Sequence, residues 1–443
     1  MMGKINYDKK SADSIYNFAK QLTGRSLAEV VQIPENAGNA RSRGNLGSLI
    51  EKYFFEHVPP NIHLPDFEEA KLELKTTGLV KDSKGNFKAK ERLVLTMINY
   101  NSLAKESWES STLLNKCRLM LILFYFYQKD RPVIDFKFPI EPMLYQMPEE
   151  DLHIIKRDWE TIRQKVREGR AHELSEGDTF YLGACRKGSG GEDETLQEQP
   201  FSTIKAKTRA FSFKQTYLNT LIAGHKNEAG LISRELSISI EEATKQKLNP
   251  YVGKTLNEIA DDISYEGLRY QAKSLKHDLL VRILSNGKSS VPELDKAGIE
   301  MKTITLNKSG KPKEHMSFPS FKFLEIVNEK WSDSSFCEKL EKKFLLVIFQ
   351  LGRDNQERLV QARYWNMPYE DRNEAQKVWE DTKRRVALDA RNLPKASENS
   401  IAHVRPKARN SHDKILTPQG DYHVKQCFWL NKDYLFKVIS AVA

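Results

Sequence analysis

Runs of apolar residues along the chain indicate a fold that mixes strands and helices. The longest run, Leu119–Tyr127 (LMLILFYFY), predicts a strand that is buried on both faces. It is too short to span a bilayer, which requires roughly 20 apolar residues. Leu72–Thr77 alternates apolar and polar residues and predicts a half-buried strand. Met147–Val166 begins with acidic residues and ends with basic ones, which favours a helix.

These elements occur twice in the chain. PDFEEAKLELKT at 65–76 matches PELDKAGIEMKT at 292–303 at its proline, alanine, glutamate, lysine and threonine positions. Further blocks recur in the same order: the tryptophan blocks from Trp108 and Trp331, the helical segments from Met147 and Met367, and the aromatic blocks from Phe211 and Phe428. Because ordered blocks are hard to obtain by chance, we interpret the chain as a duplication.

A period of about 220 residues predicts two domains rather than a solenoid. We expect domains at 1–225 and 246–443, joined by a polar linker at 226–245. Segments Lys187–Lys207 and Ala396–Lys414 are rich in Gly, Ser, Lys and Arg, and we predict mobile loops there that can close on DNA.

Composition is compatible with a nucleic-acid partner. The 443 residues carry a formal net charge of +10, which suits a polyanion, although a basic protein without such a partner remains an alternative. None of the four cysteines forms a CxxC pair or has zinc-site spacing, so we expect reduced thiols in a cytoplasmic protein. The first residues lack the apolar region of a signal peptide, and we expect no membrane contact.

Asp66, Glu73 and Lys75 have the residue types and spacing that phosphodiester hydrolysis requires. Two carboxylates can hold magnesium, and a lysine can orient the attacking water or stabilise the developing charge. Glu73 and Lys75 share one face of the predicted strand, and Asp66 lies at the end of the preceding turn. A solvated strand face is the alternative for such a pair. The motif recurs in the second copy at Glu293, Glu300 and Lys302.

The strings RGNLGSLIEKYFF, PDFEEAKLELKT, AKERLVLTMINY and WESSTLLNKCR resemble the MutH family, whose PD-(D/E)xK signature is the Pro-Asp-x6-Glu-x-Lys pattern. YLGACRKG and KTRAFSFKQTYL resemble its two-domain restriction-enzyme branch, the Sau-three-A type. The resemblance covers most of 40–220 and, more weakly, 250–443. It implies an α/β protein with two tandem MutH-like folds, each a central mixed sheet flanked by helices. The implied function is that of a magnesium-dependent type II restriction endonuclease, which cuts double-stranded DNA 5′ to the G of GATC and leaves a 5′-phosphate.

The resemblance also implies roles for individual residues. Asp66 and Glu73, with the main chain of Leu74, would ligate magnesium, and Lys75 would be the catalytic lysine. Glu51 and Lys116 would complete the active site. DNA contacts are implied for Arg43, Gly44, Arg186, Lys187 and Ser212 in the first copy and for Arg405 and Lys407 in the second. Ser212 replaces the tyrosine with which nicking members of the family check adenine methylation, and this fits an enzyme that ignores that mark.

The acidic set of the second copy is altered, because Glu293 replaces Asp66 and Asp278 replaces Glu51. Magnesium tolerates displaced ligands poorly, so we expect a non-catalytic domain that binds a second GATC as an effector. One active domain per chain predicts self-association on a palindromic site. A cognate GATC methyltransferase would belong to the same system without direct contact. The alternatives are a strand-nicking mismatch-repair endonuclease and a DNA-binding regulator with inactive nuclease domains.

Overall fold

A computed structural model of the chain describes residues 7–34, 45–58, 64–187, 196–224, 238–265 and 274–441. Contacts within the chain divide it into two compact units. The first comprises Met1–Ala171, Tyr181–Arg186 and Gln197–Lys226, and the second comprises His172–Phe180, Lys187–Leu196 and Asn227–Ala443. Within the described ranges, no helix has the length and apolar character needed to cross a membrane.

The first copy of the repeat mixes strands and helices along the chain. Its helices are α1 (Ala12–Ala19), α2 (Asn45–Leu49), α3 (Tyr100–Leu103), α4 (Thr112–Cys117), α5 (Glu149–Arg167) and α6 (Gln215–Ile222). Its strands are β1 (Glu73–Lys81), β2 (Phe87–Ala89), β3 (Leu93–Met97), β4 (Leu119–Phe126), β5 (Met143–Gln146), β6 (Leu182–Arg186), β7 (Leu196–Gln199), β8 (Ser202–Lys207) and β9 (Arg209–Phe213).

A mixed sheet of order β2-β1-β4-β5 forms the centre of this copy. Strands β1 and β4 are parallel, with Glu73 opposite Met120, whereas β2 and β5 pair antiparallel at the edges. Residues 120–125 of β4 are all buried, which confirms the prediction of a strand covered on both faces. Leu72 and Leu74 are buried in the same core, as their alternation with Glu73 predicts. An antiparallel sheet of order β3-β9-β6 completes the scaffold.

The second unit repeats this plan. Its helices are α7 (Ile240–Leu248), α8 (Leu256–Asp262), α9 (Leu275–Leu284), α10 (Pro292–Ala297), α11 (Phe323–Ile326), α12 (Ser335–Leu340), α13 (Tyr369–Leu388) and α14 (Lys432–Ser440). Its strands are β10 (Glu300–Leu306), β11 (Met316–Ser320), β12 (Lys343–Leu351), β13 (Glu357–Asn366), β14 (Ala402–Pro406), β15 (Lys414–Leu416), β16 (Tyr422–Val424) and β17 (Gln426–Leu430). Strands β10 and β12 are parallel like β1 and β4, and the sheet β11-β17-β14 corresponds to β3-β9-β6.

Two kinds of contact recur at positions that the repeat places in register. The rings of Trp108 and Trp159 lie 5.7 Å apart between centroids, and those of Trp331 and Trp379 lie at the same distance. The hydroxyl groups of two tyrosines donate to aspartates near the start of the long helices: Tyr217 to Asp151 at 2.9 Å and Tyr434 to Asp371 at 2.7 Å. The duplication predicted from the sequence is therefore also a duplication of tertiary structure.

The long helix of each copy confirms the charge pattern that predicted it. Both α5 and α13 follow a proline at the N-cap, carry acidic residues in the first turn and have arginine near the end. The prediction of loops at 187–207 and 396–414 was wrong in part, because β7, β8 and β14 lie within them. In β14 the buried Ala402 and Val404 alternate with polar residues, a period-two signal that the basic composition of the segment obscured. All four cysteines are buried free thiols.

Candidate active site

The spacing between Asp66 and Glu73 is set by a tight turn that precedes β1. Phe67 and Leu72 pair as an antiparallel bridge, with backbone hydrogen bonds of 2.9 and 3.1 Å between them. Lys71 closes the turn in the left-handed region, at a φ of 50°. The bridge brings the residue before Phe67 beside the residue after Leu72, and those residues are Asp66 and Glu73. The turn therefore explains why six residues separate the two carboxylates.

Backbone amides at the turn hold the carboxylates of Asp66 and Glu73 in place. The amide of Asp66 donates to Glu73 Oε2 at 3.2 Å, and the amide of Leu74 donates to Asp66 Oδ2 at 2.8 Å. Both side chains are buried, Glu73 being only 1% exposed. Two carboxylates that are buried side by side repel each other, so the arrangement favours an additional positive charge.

Two lysines supply positive charge at this point. Lys75 Nζ lies 2.6 Å from Glu73 Oε1, and Lys116 Nζ, at the end of α4, lies 3.4 Å from the same oxygen. Burial lowers the pKa of Lys75, but the charge of Glu73 outweighs it, and the pKa of Lys75 lies above its usual range. Burial raises the pKa of Glu73, with Asp66 acting in the same direction and Lys75 opposing.

Glu51 joins this group from the π-helical turn Ile50–Phe54 that follows α2. Burial, together with the charges of Asp66 and Glu73, raises the pKa of Glu51 to about 6. The structure therefore brings together the five predicted catalytic residues: Glu51, Asp66, Glu73, Lys75 and Lys116.

The donor set fits a magnesium ion held by few protein ligands. Asp66 and Glu73 offer carboxylate oxygens, and magnesium is commonly bound by one or two carboxylates while it keeps several waters. Across the described ranges, no group of three His, Cys, Asp or Glu side chains has the arrangement of a metal site. The fit therefore rests on the carboxylate pair, and the Leu74 carbonyl stays a predicted ligand.

His57 is a site residue that the sequence reasoning missed. Its Nε2–H donates to the main-chain oxygen of Asp66 at 2.5 Å, and its ring stacks on Phe67 with centroids 4.5 Å apart. Both contacts fix the turn that carries Asp66. A histidine nine residues before the aspartate has no spacing signal, because the contact depends on how the chain between them folds.

We expect His57→Ala to raise the magnesium concentration needed for half-maximal cleavage by about 10- to 100-fold, as residues that support metal ligands generally do. The reason is that the turn carrying Asp66 loses its anchor. Cleavage measured across a magnesium titration checks this. His57→Gln, which can still donate near the Nε2 position, should recover part of the loss, and an unchanged magnesium requirement in His57→Ala would contradict the assigned role.

The second unit retains only part of this arrangement. Lys302 Nζ lies 3.3 Å from Glu300 Oε2, and Lys339 pairs with Glu300 Oε1, as Lys75 and Lys116 pair with Glu73. Glu293, however, lies in the first turn of helix α10, and its charge acts on Lys247 and Tyr364.

The ionisation of the two strand glutamates differs as a result. Burial raises the pKa of Glu300, but Lys339 and Lys302 outweigh it and the pKa is lowered, whereas the pKa of Glu73 is raised. The side chain of Glu300 is also 29% exposed, against 2% for Glu73. The electrostatic demand for a cation is therefore weaker in the second unit.

The predicted DNA contacts have different surroundings. Arg186 ends β6 and Lys187 follows it, both half-buried, whereas Arg405 and Lys407 are exposed at the end of β14. Ser212 is fully buried in β9, so it presents no surface to DNA, and we leave it out of the contacts proposed below. Arg43 and Gly44 lie outside the described residues.

A buried histidine lies two residues before Arg405. His403 Nδ1 and Asn431 Oδ1 are 2.5 Å apart, and Asn431 Nδ2 donates to the Asn399 carbonyl, so His403 donates from Nδ1. Its Nε2 is buried without a hydrogen-bond partner in the described part of the chain. Burial lowers the pKa of His403 to about 4, with His315 and Arg405 acting in the same direction and the bond to Asn431 opposing.

We therefore expect the second unit to lose stability as the pH falls from 6.5 towards 4. Above pH 6.5 the histidine is neutral in both states, whereas below it the unfolded chain gains a proton that the folded chain excludes. Thermal unfolding followed by tryptophan fluorescence at pH 7.5 and 5.0 measures the loss. His403→Asn, which keeps the Nδ donor and does not titrate, should show a smaller shift, and equal shifts in both proteins would contradict this assignment.

Comparisons with known proteins identify the family of the chain. The sequence family described as the DNA mismatch repair enzyme MutH matches the chain twice, at residues 55–158 and 283–377. The type II restriction enzyme Sau3AI of Staphylococcus aureus is 33% identical over 96% of this chain and 98% of its own length. The DNA mismatch repair protein MutH of Shewanella woodyi is 25% identical over 49% of this chain and 93% of its own length. The DNA mismatch repair protein MutH of Actinobacillus pleuropneumoniae is 26% identical over 45% of this chain and 93% of its own length.

The fold, the carboxylate–lysine site and these relatives define the class of protein as a type II site-specific deoxyribonuclease. The chain belongs to the MutH family, and it carries two MutH-like segments in tandem.

Proposed function

We propose that this restriction endonuclease hydrolyses double-stranded DNA at GATC, 5′ to the G, with magnesium as its cofactor and a 5′-phosphate as product. The observation that carries the proposal is the buried pair of Asp66 and Glu73 in contact with two lysines. The relative that covers nearly the whole chain is a restriction enzyme, which supports the reaction class. The proposed domains remain 1–225 and 246–443, and the cytoplasm is the proposed location because the enzyme must reach DNA.

Asp66 and Glu73, with the main-chain carbonyl of Leu74, are the residues that would hold magnesium. When bound, the ion neutralises charge on the phosphate and lowers the pKa of a bound water. The amide bonds to Asp66 Oδ2 and Glu73 Oε2 orient both carboxylates before a ligand arrives. Such preorganisation avoids the cost of rearranging the site during reaction.

Lys75 is protonated in this arrangement because its pKa is raised, so it acts as a hydrogen-bond donor. From its position at Glu73 it can orient the attacking water and donate to a phosphate oxygen as negative charge develops. Lys116 reaches the same carboxylate from α4 and can stabilise the scissile phosphate from a second direction. The carboxylate of Glu51 is repelled by those of Asp66 and Glu73, so it further favours a bound cation.

We propose that DNA is held by Arg43, Gly44, Arg186 and Lys187 in the first copy. In the second copy, Arg405 and Lys407 would contact a second GATC, which acts as an effector rather than a substrate. The exposed position of both side chains at the end of β14 supports this role, and the displaced Glu293 supports the loss of catalysis. One active site per chain then requires two chains on a palindromic site, so self-association on DNA is proposed as well.

The test uses supercoiled plasmid with several GATC sites and a matched plasmid in which every site is changed. We expect GATC-containing plasmid to yield a ladder of linear fragments with magnesium, and neither plasmid to be cut in EDTA. Accumulation of nicked circles alone would instead indicate a strand-nicking enzyme. Binding without any cleavage would indicate a DNA-binding regulator, and either outcome overturns the proposed function.

A further inference from the structure

A groove of about 710 Å³ lies in the second unit, beside the end of β14. Its charged lining consists of Lys322, Lys407, Arg409, Lys425 and Asp413. Four positive charges and one negative charge leave a formal excess of +3 (4 − 1). We refer to these five residues as the cationic groove. An excess of this size on one surface favours an anionic partner.

Asp413 organises the cationic groove without cancelling its charge. Lys425 Nζ lies 2.5 Å from Asp413 Oδ1, and the amide of Arg409 donates to Asp413 Oδ2 at 3.2 Å. The bond from Lys425 and the amide bond from Arg409 lower the pKa of Asp413, so it stays ionised. One carboxylate thus joins the segment after β14 to the segment before β17. Lys322 pairs with Glu325 Oε1 at 2.6 Å on the exposed surface, so two of the four cations, Lys322 and Lys425, lie in ion pairs.

Lys407 is held in place by neutral groups. Its Nζ donates to Ser317 Oγ at 3.0 Å and to the carbonyl of Phe318 at 2.9 Å. An ammonium group has three N–H donors, so one of them is left for another acceptor. No carboxylate in the described ranges forms an ion pair with the side chain of Lys407 or Arg409. Both charges are therefore available to a partner.

The cationic groove continues a row of cations that begins in β14. Arg405 and Lys407 are two residues apart along an extended segment, which places them on one face at roughly 6.6 Å spacing. The guanidinium of Arg405 lies over the ring of Trp429 at 5.8 Å from its centroid, so its direction is also fixed. The row runs from Arg405 to Lys407, both proposed to contact the effector DNA, and Lys407 is already part of the cationic groove.

We propose that the cationic groove binds the sugar–phosphate backbone of duplex DNA that flanks the effector site. The inference rests on the proposed function, in which the second unit binds DNA. It adds the surface that gives this unit affinity for DNA of any sequence. Contacts to phosphates position a protein on DNA and carry no sequence information, so Lys322, Arg409 and Lys425 strengthen binding to any duplex equally. Contacts to the effector GATC itself stay with Arg405, beside the groove, and with Lys407 at its edge.

The test measures duplex binding by fluorescence anisotropy with the full chain carrying Asp66→Ala, which prevents cleavage, at several salt concentrations. Lys322→Gln/Arg409→Gln removes two exposed cations of the groove, breaks the surface ion pair between Lys322 and Glu325, and leaves the Lys425–Asp413 ion pair intact. The control is Lys308→Gln/Lys311→Gln, which removes the same charge from the exposed turn between β10 and β11. Duplexes with GATC and with a scrambled site are compared.

We expect the groove variant to bind both duplexes on the order of 10-fold more weakly, with the slope of log K against log salt reduced by about 1.8, or 0.9 per phosphate contact. The control variant should keep the slope of the parent. Suppose that the slope is unchanged in the groove variant, that two duplexes still bind per chain, and that Arg405→Ala loses one of the two binding sites. This result overturns the proposed role of the cationic groove and leaves the proposed function standing. If only one duplex binds per chain and Arg405→Ala changes nothing, DNA binding by the second unit itself fails.

Discussion

Asp66→Ala should abolish DNA cleavage, with a loss of at least about 10³-fold in rate at saturating magnesium. Electrostatic and Lewis-acid effects of a catalytic metal contribute several kcal/mol to the barrier, and each 1.36 kcal/mol is a factor of ten. Without the Asp66 carboxylate, magnesium loses one of its two proposed side-chain ligands, and the amide of Leu74 loses its acceptor. The measurement is single-turnover cleavage of supercoiled plasmid with several GATC sites.

The duplicated chain provides a matched control for this experiment. Glu293→Ala removes the carboxylate at the same position of the repeat, but it lies in helix α10, where its charge acts on Lys247 and Tyr364. We expect Glu293→Ala to keep linear products. If it leaves only nicked circles, each unit cuts one strand and the assignment of a single active site is wrong.

Lys75→Met should reduce the single-turnover rate by about 10²- to 10⁴-fold, the range typical of a positioned proton-transfer group. The methionine preserves much of the volume of the buried stem but cannot donate to the water or to the phosphate. Lys75→Arg should restore little activity, because a planar guanidinium does not fit the position of a compact ammonium 2.6 Å from Glu73 Oε1.

The control for Lys75 is Lys302→Met at the same position of the second copy. Lys302 makes a longer contact, 3.3 Å to Glu300 Oε2, in a more exposed setting, and we expect the rate to stay close to that of the unmodified enzyme. Equal losses in the two variants would mean that both strands β1 and β10 carry catalytic lysines. Thermal unfolding of each variant separates a catalytic loss from a folding defect.

Much of the site could be predicted from sequence because its chemistry lies within short segments. Glu73 and Lys75 share one strand, and strand periodicity places both on one face while Leu72 and Leu74 enter the core. Lys116 lies on a short helix directly before the buried β4, so its reach to Glu73 follows from the parallel pairing of β1 and β4. The spacing of residues along one strand and the pairing of β1 with β4 are therefore enough to predict most of the site.

What the sequence could not show depends on how segments fold against each other. The contact between His57 and the Asp66 carbonyl exists because Phe67 stacks on the histidine ring, and no spacing rule contains it. Ser212 was predicted to contact DNA, but the register that pairs it with Gly183 and Val94 places it inside the β3-β9-β6 sheet. Burial of a strand residue depends on which neighbours the sheet assembles.

The separate cores of the two copies bear on how this enzyme denatures. One core is built around β1 and β4 and the other around β10 and β12, and each copy has a tryptophan pair with one member on its long helix. Two-state analysis assumes one cooperative body, an assumption that chains with several cores commonly violate. We expect a calorimetric scan to require two overlapping endotherms, each shifted by substitutions in its own copy. A single melting temperature would then be an average over two transitions rather than a property of the enzyme.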